Sequence, residues 1–359
     1  MKNMKSIAMV IPGGIAGVKT ITDKLVYGLK RERLNVKVFL YGKNLAINTL
    51  LDLRYASQLR NFDTVIYMGS IPQLSATFIK LTRGENKTIL FVHGFLFHET
   101  LNALRSVQIS LRGKMMSLYN IFLWNVGTST KSIDLFICHS ITTCEANKIV
   151  KNYIILPQFV FPEEIITYAK LYQGLVSDSS NHNEVRVLVY TSFALSPRLL
   201  KPYHVIRLIK GVSRKIVGRR IQLLIIDPRV GEKLEEYSNL KVRFMKPLQR
   251  HEFLQLLAQA DLYIESCVDE ELRLSSIEAA LLGTPVAKLT HPRYVERQDY
   301  EDEILWASSP RKFVDMLSDY IQHLDYWKPY YAKKLRDFLA TRRSWDRVKA
   351  PLIKYILSS

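Results

Sequence analysis

The chain has 359 residues, 48% of them hydrophobic and 23% charged, which excludes intrinsic disorder and fits a length of about two domains. Its 51 Lys and Arg against 33 Asp and Glu give a net charge of +18, spread over both halves, an excess that attracts nucleic acid, anionic lipid or phosphorylated small molecules. Cys138, Cys144 and Cys267 are three cysteines without CxxC spacing. They argue against a disulfide framework and a zinc site, so a reducing cytoplasm is the expected compartment.

The N-terminal MKNMKSIAMVIPGG reads as a first strand ending in a Pro-Gly-Gly turn, not as a secretory signal. Short runs rich in Val, Ile and Phe follow at intervals of about 20 residues or more: IAMVI (7–11), VKVFL (36–40), TVIYM (64–68), TILFV (88–92) and LFIC (135–138). Each is too short for a helix, and the spacing predicts βα units in a parallel sheet. A polar, aperiodic stretch, GLVSDSSNHNE (174–184), interrupts the series, and the linker is set at 177–184. The pattern restarts with VRVLVY (185–190), IQLLII (221–226), KVRF (241–244), DLYIE (261–265) and TPVAKL (284–289). The expected organisation is an N-terminal Rossmann-like domain over 1–176 and a second over 185–342. No run of about 18 apolar residues predicts a membrane span.

In open parallel sheets ligands bind beyond the carboxyl ends of the strands, where loops meet helix N-termini. DEELRLSSIEAALLGTPV (269–286) follows the strand DLYIE directly and so belongs to that edge. Ser275 and Glu278 have the S-x-x-E spacing of a capping box, Gly283 suits the position after a helix, and Pro285 prevents continuation. Glu278 is then either a cap partner or a site residue. Glu270 precedes a helix whose first amides favour an anion such as a diphosphate. A carboxylate beside that anion accepts hydrogen bonds from hydroxyls, a combination that suits a sugar on a nucleoside diphosphate.

These residues resemble the E-x7-E signature of the retaining glycosyltransferases of family 4, roughly E-G-F-G-L-x-x-x-E-A-x-x-x-G-x-P-V. Glu270, Leu274, Glu278, Ala279, Gly283, Pro285 and Val286 match in register. The resemblance implies the GT-B architecture: α/β, with two doubly wound Rossmann-like domains facing a cleft. It implies that Glu270 contacts the donor sugar, that Glu278 holds the ribose hydroxyls, and that amides near Leu274 and Ser275 hold the diphosphate. Arg273 stands in place of the family's second glycine and either crowds the phosphate or supplies a cation to it. PGGIAGVKTITDKLVYGLKRERLNVKV resembles the family's first strand, glycine loop and helix, which makes Gly14 and Gly17 donor-loop residues. RRSWDRVKAPLIKYI resembles its terminal helix, about 343–359, which packs back on the first domain. His93, after TILFV, matches the histidine the family sets beside donor and acceptor; His98 is a weaker candidate. The family's G-R-x(4)-K-G becomes YTSFALSPRLLKPYHVI, with Ser192 and Phe193 in place of Gly-Arg. Strict spacing makes Arg198 the lysine's equivalent and sets Pro202 inside the next helix, at a cost of about 3 kcal/mol. With Lys201 as the equivalent, Pro202 falls in the first turn, where proline is tolerated. Lys201 is therefore preferred and Arg198 is second.

The implied activity is transfer of a sugar from a nucleotide sugar to a hydroxyl of a glycan or lipid-linked glycan, with retention. Glu270, His93 and Lys201 would be the catalytic residues, with neither metal nor other cofactor. A noncatalytic sugar-nucleotide-binding protein or partner subunit is the alternative, since the Gly-Arg pair is lost. A nucleic-acid partner is not expected, because no helix-turn-helix, zinc finger or interleaved aromatic-basic motif accompanies the charge. LNALRSVQISLRGKMMSLYNIFLW (101–124), with Arg105, Arg112 and Lys114, is either a core helix with a basic face or an interfacial helix on anionic lipid. The second reading gives a cytoplasmic protein peripheral to the membrane.

Overall fold

The computed structural model describes residues 5–11, 16–40, 55–69, 74–82, 86–92, 104, 110–129, 131–172, 183–191, 199–227 and 230–358. Thirteen strands are described: β1 Ser6–Ile11, β2 Asn35–Leu40, β3 Thr64–Met68, β4 Lys87–Val92, β5 Leu135–Cys138, β6 Tyr153–Ile155, β7 Glu184–Tyr190, β8 Arg220–Ile226, β9 Lys233–Tyr237, β10 Leu240–Met245, β11 Leu262–Glu265, β12 Val286–Leu289 and β13 Leu305–Ala307. The helices are α1 Ala16–Arg31, α2 Leu74–Thr82, α3 Leu111–Ser129, α4 Ile141–Ala146, α5 Pro162–Tyr172, α6 Pro202–Ser213, α7 Arg250–Gln259, α8 Leu274–Leu281, α9 Pro310–Gln322, α10 Leu324–Arg342, α11 Trp345–Val348 and α12 Ala350–Leu357.

Every strand expected from the apolar runs is present. β6, β9 and β13 are additional; two are only three residues long and β9 is polar, so none carries a readable apolar run. The strands form two sheets, β2-β1-β3-β4-β5-β6 and β13-β12-β11-β7-β8-β10-β9. All pairings are parallel except that of β9 with β10. The central strands β3 and β4 are buried on both faces, which is why they read as continuous apolar runs without alternation.

The chain divides into two compact units, residues 1–157 with 349–359, and 158–348. Much of the stretch read as a linker, 177–184, lies outside the described residues. The division by packing falls earlier, because α5 joins the second unit: Ile165 and Tyr168 pack against the core built on Leu335, Phe338 and Leu339 of α10. Val160 also pairs with Ser344. At the other end, α12 returns to the first unit. Lys349 pairs with Glu32 at 2.7 Å, and Lys87 donates to the carbonyl of Tyr355 at 2.7 Å.

One sequence expectation is overturned. Cys138 and Cys144 form a disulfide, with Cα atoms 5.7 Å apart, and the buried Cys267 takes no part in it. Cys138 ends β5, and the Ser140 side chain caps α4 by accepting the Thr143 amide, so the chain turns back and returns Cys144 to the strand end. Spacing alone carries no sign of that turn. The expectation of a reducing compartment rested on unpaired cysteines and loses that support. No described helix is long and apolar enough to cross a membrane.

Helix α8 ends as its glycine predicts. Gly283 has φ +81°, its amide donates to Ala280 O at 3.0 Å, and the Thr284 amide donates to Ala279 O at 2.8 Å. These two bonds are a Schellman motif, which satisfies the last carbonyls of the helix. Gly283→Ala should lower stability by about 1–2 kcal/mol, since a Cβ disfavours this left-handed backbone; urea denaturation of the two proteins measures it.

Candidate functional site

In the second sheet the strand order reverses between β7 and β11, the position at which such sheets bind ligands. Two helices start there, α6 after β7 and α8 after β11. Leu199 bridges to Cys267, and the Leu200 amide donates to Ser266 O at 2.7 Å. This short antiparallel contact sets the start of α6 against the β11–α8 loop. Pro202 is the first helical residue of α6 and Lys201 its N-cap, with an exposed side chain. Pro202 thus falls in the first turn, where proline is tolerated. Arg198, Ser192 and Phe193 lie outside the described residues.

The loop 266–273 is shaped by buried charge. Glu265, at the end of β11, accepts the Cys267 amide at 3.0 Å, the Ser276 hydroxyl at 2.6 Å and the Arg273 amide at 3.4 Å. Asp269 accepts the Glu271 amide at 3.2 Å. Lys288, on β12 and wholly buried, donates to the Glu271 carbonyl and lies 3.8 Å from Asp269. Burial by itself would lower the Lys288 pKa, but Tyr300 and Asp269 outweigh it and hold the value above that of an ordinary lysine. The ammonium is therefore charged at neutral pH, and it fixes the loop from beneath.

Glu270 and Glu271 are also buried. Arg273 is the N-cap of α8; its guanidinium donates to Cys267 Sγ at 3.1 Å and sits 3.6 Å from Asp269. Of the two readings for this arginine, the side chain is turned to the loop's own sulfur and carboxylate. The capping box read from Ser275 and Glu278 does not form. α8 begins at Leu274, one residue before Ser275, so Ser275 is the second helical residue, and its hydroxyl accepts from Tyr263 at 2.8 Å. Glu278, one turn on and buried, pairs with Arg250 of α7 at 2.7 Å. Arg250 also donates to the Tyr168 hydroxyl at 3.3 Å. The Tyr263 phenol is raised well above its ordinary value, first by burial, and so remains a neutral donor.

The first amides of α8, those of Leu274, Ser275 and Ser276, have no carbonyl partner inside the helix and carry its positive dipole end. Acids and amides therefore meet at one helix entrance, as expected of an anion site with hydroxyl acceptors beside it. Gly17 lies in α1. Gly14, His93, His98 and Arg105 lie outside the described residues. Among the described residues no group of His, Cys, Asp and Glu is arranged to hold a metal ion. Sequence reasoning missed Glu265, Asp269, Lys288 and Arg250. A signal existed for Glu265 and Lys288, each the one charged residue of its short apolar strand, β11 or β12; Asp269 and Arg250 look like ordinary surface residues.

No family model and no curated protein matches this chain. Solved structures do. Anabaena HepE in complex with UDP-glucose aligns at a TM-score of 0.57 and 15% identity, over 98% of this chain and 99% of that one. WaaG, described as a glycosyltransferase involved in lipopolysaccharide biosynthesis, aligns at 0.57 and 13% identity, over 98% and 100%. Sucrose-phosphate synthase from Thermosynechococcus elongatus aligns at 0.62 and 12% identity, over 98% of both chains. The fold is GT-B. At such identities the likeness extends to the fold.

Lys288→Met should destabilise the protein by about 3–5 kcal/mol, because it leaves Asp269 buried opposite a weakened partner set. Adding Asp269→Asn should recover part of the loss. Chemical denaturation of the two variants measures both; a loss below about 1 kcal/mol in the single variant would contradict the tie.

Proposed function

We propose that this chain is a glycosyltransferase that moves a sugar from a nucleoside diphosphate to an acceptor hydroxyl. The observation that carries the reading is the meeting, at the switch point of the second sheet, of the α8 N-terminus, the buried Glu270 and Glu278 on either side of it, and the Lys201 end of α6. The amides of Leu274 and Ser275 would hold the diphosphate, Lys201 would neutralise it, and Glu270 would accept hydroxyls of the sugar. Glu278 would hold the ribose, its carboxylate oriented by Arg250. HepE, a structural neighbour, is solved with UDP and with UDP-glucose, which supports a nucleotide sugar as the ligand class.

Our reading of the chemistry is transfer with retention, as the family 4 signature implies. No protein nucleophile is required. The departing diphosphate, stabilised by amide dipoles and Lys201, takes the acceptor proton on the face it leaves, so fixed charges and dipoles supply the catalysis without a metal. Gly14, Gly17, Arg198 and His93 are proposed as donor or acceptor residues on the family resemblance alone. The acceptor is a hydroxyl of a glycan or lipid-linked glycan.

A membrane-peripheral setting at the cytoplasmic face belongs to the same proposal. Leu111, Met115, Leu118 and Phe122 of α3 are each more than half exposed, and their spacing aligns them along one helix stripe. The 19 residues of α3 include no acid, and Arg112 and Lys114 are its charges, which suits an anionic lipid surface. A second reading, a sugar-nucleotide-binding protein without turnover, is favoured by one observation: Arg273 is committed to Cys267 and Asp269 within the loop.

Purified protein should bind at least one of a panel of UDP-, GDP- and ADP-sugars and transfer or hydrolyse its sugar, with Glu270→Ala lowering product formation at least a hundredfold. Binding without turnover selects the second reading, and neither binding nor turnover removes both. In vesicle flotation, Leu118→Glu combined with Phe122→Glu should abolish recovery with anionic vesicles while leaving the thermal melt unchanged.

A further inference from the structure

The β8–β10 connection departs from the pattern of its sheet. β8 and β10 are parallel neighbours, so the chain must cross over between them, a step usually made by a helix lying on the sheet. Among the described residues this connection contains no helix. It holds β9 instead, antiparallel to β10 at the sheet edge. Beside α6, where a crossover helix would lie, is a groove of about 800 Å³. Phe244 of β10 and Ile206 of α6 are among its apolar lining.

The groove is lined by cations from one side of α6. Arg207, Lys210 and Arg214 follow an i, i+3, i+7 spacing, a stripe about 10 Å long, and Lys201 at the head of the helix extends it to about 20 Å. Opposite stands β9. Its Glu235 is engaged by Lys233 at 2.7 Å and by the Tyr237 hydroxyl at 2.6 Å, and the ring of Tyr237 carries Lys210 Nζ 3.5 Å from its centroid. Lys233 and Tyr237 hold the Glu235 carboxyl below its ordinary value, so it is ionised. Among the described residues Lys201, Arg207 and Arg214 have no carboxylate partner. Asp227, buried at the groove floor, accepts the Thr191 hydroxyl at 2.7 Å.

We infer that this groove is a second binding site, separate from the α8 entrance, for an acidic oligosaccharide. A concave volume of this size lies within the range of about 300–1,000 Å³ of sites for small ligands, and suits a short chain better than a bilayer surface. Unpaired cations strung along one helix match acidic groups strung along a chain. The partly exposed, ionised Glu235 in the same wall repels an unbroken phosphate backbone but accepts hydroxyls, so the ligand alternates acidic groups with hydroxyls. Tyr203, largely exposed, offers a flat ring face of the kind on which sugar rings lie, while the Tyr237 ring holds Lys210 in the groove wall. The groove faces the β9 edge of the sheet, whereas the α8 entrance is on the β11 side of β7, and Lys201 alone is common to both. The inference therefore stands whether or not the α8 entrance takes a nucleotide sugar.

The test is calorimetric titration of the full chain with tetragalacturonate, with maltotetraose as the neutral control of equal length and a twelve-nucleotide oligouridylate as the nucleic-acid control. Tetragalacturonate should bind. Arg207→Ser with Arg214→Ser should weaken it at least tenfold without altering the thermal melt, and the corresponding pair of lysine substitutions should retain most of the affinity. Absence of tetragalacturonate binding, equal binding of maltotetraose, or an unaffected double serine variant overturns the inference. Tighter binding of oligouridylate that is lost in the same variant also overturns it, and assigns the groove to nucleic acid.

Discussion

The candidate site depends on a buried ammonium. Lys288 rises from β12 into a loop that contains Asp269, Glu270 and Glu271, donates to the carbonyl of Glu271 and faces Asp269. A lysine is seldom buried without a partner, because desolvation disfavours its charge by several kcal/mol. Here the acids that surround it make the charged form the stable one, and the lysine in turn lets so many carboxylates lie under one short loop. Remove either side and the other becomes an uncompensated buried charge.

That mutual dependence explains why a strongly basic chain concentrates acid at this one helix entrance. The acids divide by task. Glu265 and Asp269 are consumed by the loop's own amides, hydroxyl and cations, so they hold shape. Glu278 is oriented by Arg250 from the neighbouring helix. Glu270 is buried in the same loop. The positive end of α8 is thus framed by negative side chains, a pairing that, under the proposed function, suits a ligand with a charged diphosphate at its centre and hydroxyl groups on both flanks.

The second unit also shows how one departure from a regular pattern creates surface. Replacing a crossover helix by the short edge strand β9 leaves α6 with a cationic side that no described helix of that connection covers. The +18 charge of the chain is in part this stripe, and in part the acid-free α3 with its exposed apolar residues. Net charge as a total does not distinguish the two. One is a concave groove with tyrosines, and the other is a helix face with leucine, methionine and phenylalanine.

Strand positions and the α/β class were legible because apolar runs of four to six residues, too short for helices, recur at βα spacing; TVIYM and LFIC match β3 and β5 residue for residue. Gly283 and Pro202 announced a helix end and a helix start by backbone restriction alone, and such local rules survive any tertiary context. The Ser275 capping box was equally plausible locally and did not form: the helix begins one residue earlier, the Ser275 hydroxyl accepts from Tyr263, and the Glu278 carboxylate pairs with Arg250. The Cys138–Cys144 bond, the Lys288–Asp269 tie and the Glu278–Arg250 pair had no sequence signature as pairs. Each joins groups whose approach depends on how strands, turns and helices pack, and pairing across elements is information that only the folded chain contains.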